Sequence, residues 1–286
     1  MYPAQFEYHK AGSVKEALDL LAKHKDDAKV LAGGHSLLPA MKLRLAQPKH
    51  VIDIGKISSL SGVKEEGGTL VIGSLTTHYA IESSAVLKSK CPLMPEVAGH
   101  IGDPMVRNMG TLGGSLAHAD PAADWPAAVI ALGAEMVAEG PKGKRTIKID
   151  DFFKGLLTTA LADDEILTEI RVPAAAANVK SAYAKFPHPA SRFAVVGVAA
   201  VLTMDGGKIG KASIGLTGAG TKAIRAKGVE AAIAGKSADA ASIQAAAEKA
   251  AEGVDVQADL QGSVEYKQHL LRVFAKRAME AAAAKK

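Results

Sequence analysis

Along the first 170 residues the apolar positions switch repeatedly between a helical period and a strand period, and the switches mark the elements. Ser13-Val-Lys-Glu16 reads as a capping box, and Ala17, Leu18, Leu20 and Leu21 give the helix behind it an apolar face. Lys29-Val-Leu31 reads as a strand running into Ala32-Gly-Gly-His-Ser36, Leu37 to Leu45 as a short helix, and His50 to Ile54 as the next strand. This βαβ-like unit ends near residue 57. Gly67-Gly68 then signals a turn before a strand at Thr69 to Ile72, and a helix starts at Thr76-Thr77 and runs through Ile81. Past a proline-punctuated stretch, Trp125 to Leu132 reads as a helix. A strand, a basic turn (Gly140 to Arg145) and a strand at Thr146 to Ile149 follow it. Glu165 to Val172 alternates with period two and stops at Pro173.

Ala174 to Asn178 reads as a linker, and the pattern then changes. Val195 to Met204 and Lys208 to Leu216 flank Asp205-Gly206-Gly207, a hairpin signal. From Ala223 the chain is alanine-rich and helical, with breaks at Gly235 and Gly253. The expectation is an α+β protein: one lobe over residues 1–57, a second over 58–173, and over 178–286 a smaller domain of antiparallel sheet plus helices.

Composition narrows the chemistry. Hydrophobic residues make up 48% of 286, enough for a core without disulfides. The single cysteine, Cys91, excludes a thiolate zinc site or an iron–sulphur cluster held by this chain alone. Nine histidines include no H-x-x-x-H or H-E-x-x-H spacing, so no metal site is predicted. The net charge of +5 is dispersed apart from Lys142, Lys144, Arg145 and Lys148, and aromatics are only 4%, which argues against a nucleic-acid partner. Met1-Tyr-Pro-Ala-Gln-Phe-Glu-Tyr-His9 lacks the apolar core of a signal peptide, and no stretch is apolar for long enough to span a membrane. A cytoplasmic protein is expected.

The informative residues lie in two loops about eighty positions apart, Ala32-Gly-Gly-His-Ser36 and Thr111-Leu-Gly-Gly-Ser115. Glycines let successive N–H groups converge on an anion, and a serine hydroxyl adds a donor. One such loop can hold a phosphate, and two facing each other can cradle a pyrophosphate. Either loop alone also reads as an ordinary turn. The G-x-G-x-x-G spacing of a Rossmann site and the G-K-[ST] of a P-loop are both missing.

Ala32-Gly-Gly-His-Ser-Leu-Leu-Pro39 and Arg107-Asn-Met-Gly-Thr-Leu-Gly-Gly-Ser-Leu-Ala-His-Ala-Asp-Pro-Ala-Ala-Asp124 resemble the two flavin loops of the FAD-carrying medium subunits of molybdenum hydroxylases, the aerobic carbon monoxide dehydrogenase and xanthine dehydrogenase family. The resemblance covers nearly the whole chain. It implies a two-lobed FAD-binding domain of the vanillyl-alcohol-oxidase (PCMH) type, then the C-terminal domain of the carbon monoxide dehydrogenase flavoprotein type. It implies that Ala32, Gly33, Gly34, His35, Ser36 and Leu37 hold one side of the pyrophosphate through their backbone, and Thr111, Gly114 and Ser115 the other. By the same match His118 lies along the cofactor, Asp124 binds ribose or an adjacent hydroxyl, Ile166 and Leu167 pack the adenine end, and Lys185 reaches the isoalloxazine region, with Tyr183 on its face of the strand. On the residues alone, His118 reads equally as a turn cap, Asp124 as a helix N-cap, and Ile166 and Leu167 as core. Phe186-Pro-His-Pro-Ala-Ser-Arg192 departs from the stretch many relatives carry.

The resemblance further implies a [2Fe-2S] partner subunit and a molybdopterin-binding large subunit, assembled as a dimer of heterotrimers. Electrons from their clusters would pass through FAD to an external acceptor. Two other readings stay open at this point: a free-standing flavin oxidoreductase of the same fold, and a non-catalytic nucleotide-binding module.

Overall fold

The structure, a computed structural model, describes residues 1–285. The chain starts with β1 (Glu7–Lys10), α1 (Val14–His24), β2 (Ala28–Leu31), α2 (Leu37–Lys42) and β3 (His50–Asp53). The three strands form a parallel sheet in the order β1-β3-β2, with a helix making each crossover, as parallel pairing requires. Ser13 caps α1 by accepting from the Glu16 N–H, while the Glu16 carboxylate reaches back to the N–H of Gly12 rather than that of Ser13. α2 stops at Lys42, earlier than the apolar pattern predicts, and Arg44 already has φ +59.

The second lobe contains β4 (Val63–Glu66), β5 (Thr69–Gly73), α3 (His78–Ser83), α4 (Ala85–Lys90), α5 (Leu93–Gly99), α6 (Pro104–Met109), α7 (Leu112–His118) and α8 (Trp125–Leu132). It continues with β6 (Glu135–Gly140), β7 (Gly143–Lys148), α9 (Ile149–Phe152), β8 (Phe153–Gly155), β9 (Thr158–Thr159) and β10 (Ile166–Pro173). Its main sheet is antiparallel in the order β4-β5-β10-β6-β7. As the central strand, β10 buries residues on both faces, and a register shift between Leu167 and Glu169 interrupts its period of two. The predicted basic turn shrinks to Pro141-Lys142. Lys144 and Arg145 stand on the edge strand β7, where Arg145 makes a two-pronged bond to Glu165 at 2.6 and 2.7 Å.

The last domain pairs β11 (Val179–Pro187), β12 (Ala194–Asp205), β13 (Lys208–Thr217) and β14 (Ile224–Arg225) in antiparallel order. Gly206 and Gly207 turn the central hairpin with φ +53 and +84, the conformation that a two-residue primed turn requires. Helices α10 (Lys227–Ile233), α11 (Ala240–Ala247) and α12 (Val264–Ala284) cover the sheet, and α12 buries Leu270, Leu271, Phe274, Ala278 and Met279 against it.

Helix α8 joins the two halves. Trp125 through Ala131 are all buried, because the helix packs on its own lobe from one side and on β12 and β13 from the other. Gly215 makes this possible, since a Cβ there would run into the carbonyl of Ala127.

Candidate functional site

A cleft of about 550 Å³ opens where the two lobes and the last domain meet, within the size range of cofactor sites. Its walls include residues 32–37, Thr111, Gly113, Gly114, Ser115, His118, Asp124, Ile166 and Leu167. The two glycine loops therefore stand in one cavity.

They face it differently. The loop after β2 carries six successive backbone N–H groups, Ala32 through Leu37, that donate to no protein acceptor among the described residues. Gly34 bends the loop with φ +78, which turns neighbouring amides toward a common point. At the second loop the amides are already engaged. The N–H of Leu112 donates to Thr76 O, that of Gly113 to Ser74 O and that of Ser115 to Thr111 O. Thr111 caps α7 through Oγ1, which accepts the N–H of Gly114 at 3.1 Å. This loop offers the cleft hydroxyls rather than amides.

The glycines also bring the loops together. A Cβ on Gly33 would strike the carbonyl of Met109, and one on Gly114 would press on Thr111 Oγ1 and reach Ala32 Cβ at 3.6 Å. Gly33 is thus needed for loop-to-loop packing before any ligand is considered.

Asp124 lines the cleft at the head of α8 but makes no capping bond. Its carboxylate accepts from Tyr183 Oη at 2.5 Å and from Lys185 Nζ at 2.8 Å. Lys185 is not on the cleft surface: its side chain is 1% exposed and also donates to the His100 carbonyl at 3.0 Å. Tyr183 is likewise behind the wall, with its own N–H held by Glu96 at 2.8 Å. Burial pushes the Asp124 carboxyl above the usual range, and Lys185 opposes that shift. Ile166 and Leu167 are buried at the start of β10 and form apolar wall. His118 ends α7, half-buried on the cleft side.

Three contributions were not read from the sequence. Ser74, between β5 and α3, lines the cleft with its Oγ buried and unpaired. Nothing in the local sequence marks it. His78 is buried in the wall and accepts from Trp125 Nε1 at 3.0 Å through Nδ1, which leaves the proton on Nε2; burial lowers its pKa to about 4. The third is the β11–β12 connection, where Ser191, Arg192 and Phe193 close the cleft from the last domain. Cys91 takes no part, since it lies in the core of the second lobe and burial pushes its thiol up to about 12.

A cavity that presents a row of unpaired amides, several hydroxyls and long apolar walls suits a dinucleotide with a central pyrophosphate. Comparison with known proteins gives that class its family. Residues 4–175 match the FAD binding domain in molybdopterin dehydrogenase, and residues 181–282 the CO dehydrogenase flavoprotein C-terminal domain. The carbon monoxide dehydrogenase medium chain of Hydrogenophaga pseudoflava is 44% identical over 282 residues, covering 99% of this chain and 98% of that one. The glyceraldehyde dehydrogenase medium chain of Sulfolobus acidocaldarius is 36% identical over 98% and 99% of the two chains. A solved carbon monoxide dehydrogenase from H. pseudoflava, lacking the Mo-pyranopterin moiety of its molybdenum cofactor, superposes with a TM-score of 0.97 at 46% identity over 99% of both chains. The chain belongs to the FAD-binding medium subunits of molybdenum hydroxylases. It is an oxidoreductase flavoprotein whose cofactor is FAD, and the non-catalytic nucleotide module is set aside. No helix among the described residues is long and apolar enough to cross a membrane.

Proposed function

We propose that this chain relays electrons from an iron–sulphur partner subunit to an external acceptor, while substrate is oxidised on a separate molybdopterin-binding subunit. The observation that carries the reading is the cleft, which has a cradle for a dinucleotide but no paired acid and base for organic chemistry. Its carboxylates are all engaged: Glu165 by Arg145, Asp124 by Tyr183 and Lys185, and Asp120 by the N–H of Ala122. FAD, when bound, supplies redox chemistry in one- or two-electron steps.

The residues divide that work. The amides of Ala32, Gly33, Gly34, His35, Ser36 and Leu37 hold one side of the pyrophosphate. The hydroxyls of Thr111 and Ser115 and the unpaired Oγ of Ser74 hold the other, and Gly114 lets that backbone come close. Ile166 and Leu167 pack the adenine end and exclude water there. His118 and Asp124 lie along the ribityl and ribose portion. Lys185 is a positioning residue, since it holds Asp124 rather than the cofactor. Ser191, Arg192 and Phe193 sit at the outer end, where access of an acceptor is controlled.

The substrate of the assembled enzyme is not written in this chain. Relatives named for carbon monoxide and for glyceraldehyde both match it over nearly their whole length, at 44% and 36% identity. The assembly we infer is a dimer of heterotrimers in the cytoplasm. Affinity purification of the tagged chain from its native host tests the reading. Stoichiometric recovery of a [2Fe-2S] protein and a molybdopterin protein is expected. Recovery of the yellow chain alone, fully active on an organic substrate, would instead favour the free-standing flavoenzyme.

A further inference from the structure

Three histidines that are remote in sequence meet at the other end of the first parallel sheet. His9 stands on β1, His24 is the last residue of α1, and His50 opens β3. Glu7 pairs with His50 across the parallel ladder, so Glu7, His9 and His50 share one face by the period of two. Ile52 lies on that same face and packs with Ala17 and Leu21 of α1, which brings the end of α1 over the histidines. The first glycine loop, residues 32–36, leaves the opposite end of β2, roughly 13 Å away for four residues of β structure.

The rings are in direct contact. His9 Nε2 lies 3.0 Å from His50 Nδ1, and the His24 and His50 ring centroids are 3.6 Å apart. One donor nitrogen from each ring falls within a 4.8 Å span. The Glu7 carboxylate stands 3.4 Å from His50 Nδ1 and 3.9 Å from His9 Nε2. His24 Nε2 is buried and has no hydrogen-bond partner. A nitrogen shut away from water without a partner is unfavourable, and the ring that carries it stands against two others that share a single bond.

We propose that Glu7, His9, His24 and His50 form a transition-metal site of the Zn²⁺-binding kind. Metal–nitrogen bonds of about 2.0–2.1 Å in a tetrahedral set separate the donors by roughly 3.3 Å. His9 and His50 already stand near that spacing, and the three ring donors lie within 4.8 Å, so side-chain rotation of His24 and of the exposed Glu7 closes the set. Three imidazoles and one carboxylate, with no thiolate, suit Zn²⁺, Ni²⁺ or Cu²⁺ and not Ca²⁺ or Mg²⁺. Because the ligands come from β1, α1 and β3, a bound ion ties together the elements that frame the first lobe.

The test uses the tag-free, FAD-loaded full chain, stripped with chelator and titrated with Zn²⁺ by calorimetry and with Co²⁺ as a spectroscopic probe. One equivalent of Zn²⁺ should bind, and Co²⁺ should give the intense visible bands of a four-coordinate site. His24→Ala and His50→Ala should each abolish that band and weaken Zn²⁺ at least about tenfold. His269→Ala, on the exposed face of α12, should change neither. Zn²⁺ should raise the melting temperature of the unmodified chain and leave that of His24→Ala unmoved. Retained flavin, held at the far end of the sheet, reports that a variant is folded. No stoichiometric binding by the unmodified chain, or binding undiminished in both histidine variants, would overturn the site.

Discussion

Tyr183 donates its phenolic hydrogen to Asp124 at 2.5 Å, so a strand of the last domain fixes the one carboxylate at the head of α8 in the cleft wall. Lys185, two residues along the same strand, holds the other carboxylate oxygen at 2.8 Å. The pair explains why Lys185 is set back from the cavity: it compensates a buried negative charge and locks the two domains in register.

Lys185→Met leaves that carboxylate buried and uncompensated, with an expected loss of about 3–5 kcal/mol near neutral pH. The sign with pH follows from burial. A carboxyl whose folded pKa lies above its unfolded value contributes stability at low pH that is lost as pH rises through the folded pKa. Removing Lys185 raises the folded pKa further, so the penalty should be larger at about pH 8 than at about pH 5. Urea unfolding at the two pH values measures it, and an equal penalty at both would contradict the ion-pair account.

His78 provides a second pH-dependent term, of opposite sign. With a folded pKa of about 4, its stabilising contribution is present above the unfolded value and lost as pH falls from about 6.5 to 4, roughly 3 kcal/mol in all. His78→Gln keeps an acceptor within reach of the Trp125 N–H and should flatten this acid limb. Chemical denaturation across that range checks the slope, and an unchanged slope would assign it to other groups.

The unequal state of the two loops predicts unequal mutants. Ser36→Ala and Ser115→Ala each remove one hydroxyl and should weaken FAD binding by about 1–3 kcal/mol with little change in stability of the apo chain. Thr111→Val removes the acceptor of the Gly114 N–H, so it should lower apo stability by about 1 kcal/mol as well. Gly33→Val drives a side chain into the Met109 carbonyl and should separate the loops, destabilising the fold besides losing flavin. FAD titration alongside thermal unfolding distinguishes the two patterns.

FAD should be non-covalent, since Cys91 is buried away from the cleft and His35 bonds its ring to the Gly33 carbonyl. Acid precipitation should leave all the yellow colour in the supernatant as FAD. Colour retained in the pellet would show a covalent link.

Much of this was legible in the sequence. The α8 boundaries follow from an unbroken apolar run bounded by Asp124 and Gly133, and the Asp205-Gly206-Gly207 turn announces its hairpin. The strands β1 and β4 escape because Glu7-Tyr-His-Lys10 and Val63-Lys-Glu-Glu66 lie at sheet edges, mostly exposed, and carry no apolar alternation. The roles of Ser74 and His78 depend on long-range packing. So does the histidine cluster, whose members are 15 and 26 positions apart and match no short metal motif. The pattern around Lys185 reads as a strand, and Lys185 stands on β11, but its ammonium meets a carboxylate 61 positions earlier that no local pattern points to.

The central claim, that this subunit relays electrons and oxidises no organic substrate itself, is tested most directly by anaerobic mixing. The isolated FAD-loaded chain is combined with carbon monoxide, an aldehyde, a purine and an N-heterocycle, and the visible flavin band is followed. The account predicts no bleaching by any of them until the iron–sulphur and molybdenum subunits are added. Rapid bleaching of the isolated chain by one of these compounds would contradict it.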